Sequence, residues 1–288
     1  MNDTHYEKFG YCHFHSVLNT AEISQFRSQV NEFYSNCIEF PLEPKKCLQI
    51  QEIMEIAFSS KLVDSIKSAF HSDYIMFPDL EVQYNLIGGA TQNGIFSGWH
   101  VDSNSEGLKE YLADRNYGFA KVGVYFQDNN SKYAGGIDLV PSSHKFPQIG
   151  SLKSRILLKK LINKLQIVFK AKTVKSKAGD ALIFDSRLQH RSTRLNAKVG
   201  HNSFKKNNLG DVVDLPAGRE KVVIYFDIAY PNSYRDFWNN AQKRAMSKDY
   251  LESRHFSGYT DPNGDYDLFR KYAAAQKVRT IFDVLEQE

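Results

Sequence analysis

Cysteine is scarce in this 288-residue chain: Cys12, Cys37 and Cys47 are odd in number and lack metal-type spacing, which argues against a disulfide framework or a thiolate zinc site. A basic start followed by an apolar run is also missing. The opening MNDTHYEKFGYCHF carries no secretory signal, so a reducing, cytoplasmic location is expected. No stretch approaches the ~18 uninterrupted apolar residues of a spanning helix, so an integral membrane protein is not expected. With 17 glycines, 8 prolines and 24% charged residues, neither a fibrous repeat nor a disordered chain fits. The net charge of +4 is too small, and no motif is present, to make nucleic acid an expected partner. One absence is local: from Ser151 to Lys177 there is no acidic residue, while lysines and arginines recur from Lys153 onward.

What is present suits one large core, since 42% of residues are apolar and 13% aromatic. A single domain over 1–288 is expected, with helical support at 9–80, a β core at 81–230 and a helical or irregular cover at 231–288. Phe9 to Leu18 reads as a short strand running into a turn. A helix capped by Asn19 or Thr20 follows, carrying Ile23, Phe26, Val30 and Phe33 at helical spacing. A second helix is expected from Ile50 to Phe70, with Ile53, Ile56, Ala57, Leu62, Ile66 and Phe70 as its buried stripe. Runs rich in β-branched and aromatic residues then appear at Glu81 to Ile87, Ala120 to Gln127, Gly136 to Val140, Ala181 to Asp185 and Lys221 to Ile228. Punctuated by Gly, Asn and Pro, they suggest a barrel or double-sheet jelly roll with helices outside. A turn is expected at Asp261 to Gly264.

The acid-free stretch 151–177 is read as a basic helical insertion. Leu158, Leu161, Ile162, Leu165, Val168 and Phe169 recur at helical intervals, with lysines on the other face. Two uses are open: a helix packed on the barrel with solvated lysines, or a peripheral membrane contact with its apolar face in the interface.

The chemistry begins at Trp99-His100-Val101-Asp102. Residues two apart on a strand share a face, so His-x-Asp presents an imidazole and a carboxylate together. A distant histidine would complete a two-histidine, one-carboxylate set that leaves adjacent positions open on iron(II). His190, 88 residues after Asp102, is the choice, because Gly179-Asp180 opens the apolar strand Ala181 to Asp185 and the histidine lies just past its end.

Four stretches carry a resemblance: Phe9 to Phe14 with Val17-Leu18, Trp99 to Asp102, Ala134 to Lys145, and Gly179-Asp180 through His190-Arg191-Ser192. In this order the sequence resembles the phytanoyl-CoA hydroxylase family of iron(II)/2-oxoglutarate dioxygenases. The resemblance implies a mainly β fold with flanking helices around a double-stranded β-helix (jelly-roll, cupin-like) core. It also implies iron(II), 2-oxoglutarate and dioxygen as the chemical equipment, with His100, Asp102 and His190 as metal ligands. His144, in Pro141-Ser142-Ser143-His144, has no ligand role in that pattern and reads as a turn residue. The remaining histidines, His13 and His15 among them, read as surface or packing residues.

A chelated 2-oxoglutarate leaves a far carboxylate that needs a buried cation. The resemblance implies an arginine at the start of the strand after the distal histidine, which is Arg219; Ser192 and Gln83 resemble the polar groups that flank the same co-substrate. The interval from His190 to Arg219 is 29 residues, longer than the family's usual one, so 198–217 reads as an inserted loop. Arg191, Arg194 and Lys221 stay open as competitors. The retained Asp102 carboxylate argues against halogenation and for hydroxylation of an aliphatic C–H in a small-molecule substrate. Two alternatives remain at this level: a non-catalytic binding or scaffold module, and a cupin-type metal enzyme that does not use 2-oxoglutarate.

Overall fold

A computed structural model of the chain describes residues 5–35, 42, 44–70, 73–78, 80–87, 98–102, 118–129, 136–145, 153–193, 204–207, 210–213, 220–230 and 265–285. The helices are α1 (His5–Phe9), α2 (Thr20–Ser35), α3 (Pro44–Cys47), α4 (Gln51–Ala57), α5 (Ser60–Phe70), α6 (Lys153–Lys170), α7 (Asp267–Ala275) and α8 (Ile281–Leu285). The strands are β1 (Tyr11–Phe14), β2 (Ile75–Met76), β3 (Glu81–Tyr84), β4 (Leu86–Ile87), β5 (Phe119–Tyr125), β6 (Ile137–Leu139) and β7 (Lys172–Thr173), followed by β8 (Ala181–Asp185), β9 (His190–Ser192), β10 (Phe204–Asn207), β11 (Gly210–Val213), β12 (Val222–Ala229) and β13 (Arg279–Thr280).

The larger sheet runs β1-β8-β5-β12-β2-β13, with β3 also on β12, and two three-stranded sheets run β7-β6-β9 and β10-β11-β4. Successive strand residues point to opposite faces, so the large sheet has two different coats. Ala120, Val122, Val124, Ile183, Ile224, Phe226 and Ile228 face outward into a core shared with Phe26, Ile53, Leu62, Ile66 and Phe269 of the helices. The inner face holds Tyr11, Tyr125, Leu182, Phe184 and Val223, which pack with Ile137, Leu139, Val174 and Leu188 from the facing side. This is the two-sheet jelly-roll arrangement with helices outside.

α2 begins where the sequence indicates: the Asn19 side chain accepts from the Ala21 and Glu22 amides at 2.9 and 3.1 Å, and Glu22 accepts from the Asn19 amide at 2.6 Å, a reciprocal cap of exposed donors. The helix expected over Ile50 to Phe70 is two, because the chain leaves helical geometry at Phe58 (φ −109°, ψ 19°). The buried stripe nonetheless runs through both. The strand expected over Glu81 to Ile87 breaks at Asn85, whose φ is +52°; its side chain accepts from the Lys221 amide at 2.9 Å, and β4 passes on to pair with β11. Within 198–217, read as a loop, β10 and β11 form an antiparallel hairpin.

The basic helix is present as α6, but its apolar residues do not all face the protein. Gln166 and Ile167 are buried, while Leu161, Leu165, Val168 and Phe169 are exposed. The turn expected at Asp261 to Gly264 and the candidates Arg194 and Arg219 lie outside the described residues. Among the described residues no helix is long and apolar enough to cross a membrane.

Candidate metal centre

His190 opens β9, which pairs with β6 in the register Leu139↔His190 and Ile137↔Ser192. Since Leu139 and Ile137 belong to the inner core, residues opposite them, His190 and Ser192, face inward, and Arg191 faces out. Arg191 indeed holds Asp138 at 2.9 Å and lies 4.7 Å from the Trp99 ring centre, which removes it as an inner cation. The turn before β9 is held by Asp185, which accepts from the Arg187 amide, Nε and Nη2 at 2.8, 3.0 and 2.8 Å.

His100 meets His190 as an isolated antiparallel bridge, with each amide donating to the other's carbonyl at 2.9 Å. The Asp102 amide donates to Ser186 at 3.0 Å. Gly98, at φ +76°, turns the chain into this bridge in a conformation that favours glycine, and its carbonyl accepts from His100 Nδ1 at 2.9 Å. His190 Nδ1 donates to the Leu188 carbonyl, also at 2.9 Å. A carbonyl can only accept, so both imidazoles carry a proton on Nδ1 and turn Nε2 toward Asp102, the arrangement in which Nε2 can ligate a metal.

Those two Nε2 atoms face Asp102 Oδ1 at 3.6 and 3.4 Å, with ring centres 4.4 Å apart. Such separations exceed the roughly 2.7–2.9 Å of a charge-assisted hydrogen bond. They approach the spacing of neighbouring donors on one ion, whose bonds are about 2.0–2.2 Å for these atom types. Asp102 Oδ2 is buried and has no hydrogen-bond partner among the described residues. Burial works against the Asp102 charge, yet His190 beside it, then Lys121 and His100, hold the carboxyl well below its usual range. Burial likewise opposes a charge on His190, but Asp102 outweighs it and raises the imidazole. At His100 burial and the neighbouring His190 prevail and lower it. His190 is buried and His100 is open on one side, its side chain 49% exposed.

A second His/His/Asp group was not anticipated. His13 and His15 share a face of the chain at β1, and β1 pairs with β8 in the register Phe14↔Ala181, which brings Asp180 to them. His13 Nε2 and His15 Nδ1 lie 2.9 and 3.2 Å from Asp180 Oδ2. The same carboxylate accepts from the Ser16 amide at 2.9 Å and the Lys177 amide at 2.9 Å. Both groups have the residue types and closeness to hold a metal, but Asp180 is already satisfied by four donors. The donors at His100, Asp102 and His190 have no such satisfaction and fit a divalent cation.

Next to the triad, Phe184 lies 4.8 Å from His190, centre to centre, and the inner face of the large sheet continues with polar and aromatic groups. Cross-strand registers place Gln83 opposite Val223, Glu81 opposite Tyr225 and Lys121 opposite Asp227. Gln83 donates to Glu81 at 2.7 Å, and Lys121 pairs with Asp227 at 3.0 Å. Lys221 is buried; alternation along β12 sets it on the face of Val223 and Tyr225, while Glu220 is drawn outward by Arg27 of α2 at 2.6 Å. Burial lowers Lys221 to about 8, with Glu81 opposing. His144 lies apart from the triad, its Nε2 3.2 Å from the Glu7 carbonyl.

No protein-family model and no curated protein matches the chain. Among solved structures it is similar to the non-haem alpha-ketoglutarate-dependent epimerase SnoN from nogalamycin biosynthesis, at 14% identity, 79% of each chain and a TM-score of 0.52. It is similar also to HygX from Streptomyces hygroscopicus, solved with nickel and 2-oxoglutarate, at 14% identity, 78% of this chain, 84% of that one and a TM-score of 0.51. The carbocyclase SnoK gives 11% identity, 79% and 82% coverage, and 0.52. These structures share with this chain the fold described above, a jelly roll with helices outside, and in it the chain has a His/Asp/His cluster that can hold a metal. At these identities the likeness concerns the fold alone, and membership of the phytanoyl-CoA hydroxylase family itself has no match behind it.

Proposed function

We propose that this chain is an iron(II)- and 2-oxoglutarate-dependent oxygenase that hydroxylates an aliphatic C–H of a small-molecule substrate, with His100, Asp102 and His190 as the iron ligands. The observation that carries the reading is the Asp102 carboxylate, with one buried oxygen unpartnered among the described residues and the other facing two imidazole Nε2 atoms. A divalent cation between the Asp102 carboxylate and the two Nε2 atoms would be attracted to all three at once. When bound, iron(II) and 2-oxoglutarate supply the activation of dioxygen, at the expense of decarboxylating the oxoacid to succinate.

The chain's own groups do the positioning. The carbonyls of Gly98 and Leu188 keep both imidazoles in the metal-binding tautomer. The inner face beyond Phe184 is the place for the co-substrate, with Ser192 and Gln83 flanking it. Its far carboxylate is held at the start of β12 by Arg219 together with Lys221. Burial lowers this lysine to about 8, and a carboxylate beside it would favour its charged form. The half-exposed side of His100 is the side from which substrate approaches.

The test is anaerobic addition of iron(II) and 2-oxoglutarate, read by the weak visible charge-transfer band of a metal-chelated oxoacid. Wild-type protein is expected to show the band, His100→Ala to lack it, and Lys221→Met or Arg219→Met to require about tenfold more 2-oxoglutarate. A wild type without the band contradicts the proposal. Since the fold neighbours include an enzyme named an epimerase and one named a carbocyclase, product analysis must separate hydroxylation from epimerisation and ring closure.

A further inference from the structure

Apolar helical periodicity in a globular protein normally marks the face turned to the core. α6 breaks that rule over the part whose side chains are described. Ile167 and Gln166 are the residues it buries, at 8% and 6% exposure, while Leu161, Leu165, Val168 and Phe169 stand 54%, 47%, 50% and 79% exposed. These four lie at positions i, i+4, i+7 and i+8 and so form one continuous stripe along two turns. They are the only large hydrophobic residues that stand out in this way among the described residues. Single exposed leucines are ordinary, but a contiguous stripe on a helix marks a contact surface.

The charge around the stripe names its partner. Lys164 and Lys170 on the helix, and Lys172, Lys175 and Lys177 just after it, are all exposed, and no acidic residue occurs between Ser151 and Lys177. Lys172 and Lys175 also line a groove of about 640 Å3 bordered by β1 and β7. A stripe meant for another protein's apolar surface gains nothing from uniform positive charge at its margins. An anionic lipid surface satisfies both features together, since the lysines meet headgroups while leucine and phenylalanine enter the boundary below them.

We propose that α6 is an in-plane anchor that docks this protein on anionic membrane surfaces through Leu161, Leu165, Val168 and Phe169, with the flanking lysines engaging the headgroups. The inference does not rest on the oxygenase reading, because the helix lies outside the triad and its inner-face neighbours.

The test uses the full-length protein with sedimented vesicles of phosphatidylcholine alone or with about 30% phosphatidylserine. Binding to the anionic vesicles is expected to be at least about tenfold tighter than to neutral ones and to weaken strongly between 0.05 and about 0.5 M salt. Leu165→Ser with Phe169→Ser is expected to abolish binding, and Lys164→Glu with Lys170→Glu to erase the anionic preference. All four positions are exposed, so circular dichroism should match wild type in both double variants. Equal binding to both vesicle types, no binding to either, or an unaltered Leu165→Ser/Phe169→Ser variant would overturn the proposal. So would a wild-type dimer that this variant converts to monomer, since the stripe would then be covered by a second copy.

Discussion

The two His/His/Asp groups differ in what remains for a metal to do. At Asp180 the carboxylate accepts from the Ser16 and Lys177 amides and lies 2.9 and 3.2 Å from two imidazole nitrogens. At Asp102 one oxygen is buried without a partner among the described residues and the other is 3.4 and 3.6 Å from the Nε2 atoms of two imidazoles whose Nδ1 atoms are tied to backbone carbonyls. The same three residue types, similarly close, therefore serve opposite ends. One ties the N-terminal strand to the turn that opens β8, and the other stores unmet acceptor capacity. Proximity alone does not define a metal centre; unspent lone pairs do.

That contrast can be broken most forcefully at Asp180. Asp180→Ala removes a buried acceptor shared by two amides and two imidazoles, which costs about 2–4 kcal/mol. The expected fall in Tm is roughly 5–10 °C, measured by thermal denaturation, while iron affinity stays within about twofold. A variant as stable as wild type would mean that Asp180 is not the structural member of the pair.

A smaller effect concerns pH. Burial raises the Asp180 carboxyl, but the Lys177 and Ser16 amides and His13 outweigh it and hold it below the usual carboxylate range. A carboxyl lowered in the folded state stabilises above its unfolded pKa of about 3.9 and loses that contribution as pH falls through the lower folded value. The Tm difference between wild type and Asp180→Ala should hold between pH 5 and 8 and shrink below about pH 4. A constant difference down to pH 2 would contradict the assignment.

The smallest effect concerns the metal-free triad. There, against burial, His190 holds the Asp102 carboxyl down, so Asp102→Asn is expected to lower Tm by about 1–3 °C, less than Asp180→Ala does. A drop as large as that of Asp180→Ala would show that Asp102 is as structural as Asp180.

These outcomes also mark how far the chain could be read from residues alone. The convergence of His100, Asp102 and His190 was legible because His-x-Asp on extended chain and a histidine just past an apolar strand are local patterns with strand geometry behind them. The strands β5, β8 and β12 were legible for the same reason. The His13/His15/Asp180 group was not, since it exists only through the pairing of β1 with β8, whose partners lie more than 160 residues apart. The break between α4 and α5 was hidden because apolar periodicity runs straight through it. The kink at Asn85 was hidden because it depends on a hydrogen bond to Lys221. For α6 the periodicity was right, but periodicity gives the apolar face without saying what it faces. The choice of Arg219 over Arg191, Arg194 and Lys221 rested on the family resemblance and not on local geometry; alternation places Lys221 on the inner face of β12, and Arg191 turns outward to Asp138.

The central claim is that His100, Asp102 and His190, rather than the second group, take the metal. Equilibrium dialysis of iron(II) against wild type, Asp102→Ala, His190→Ala and Asp180→Ala under anaerobic conditions tests it directly. The account predicts one iron per wild-type and Asp180→Ala chain, with affinity reduced at least about 100-fold in the other two. Retention of that iron in Asp102→Ala with loss in Asp180→Ala would contradict it.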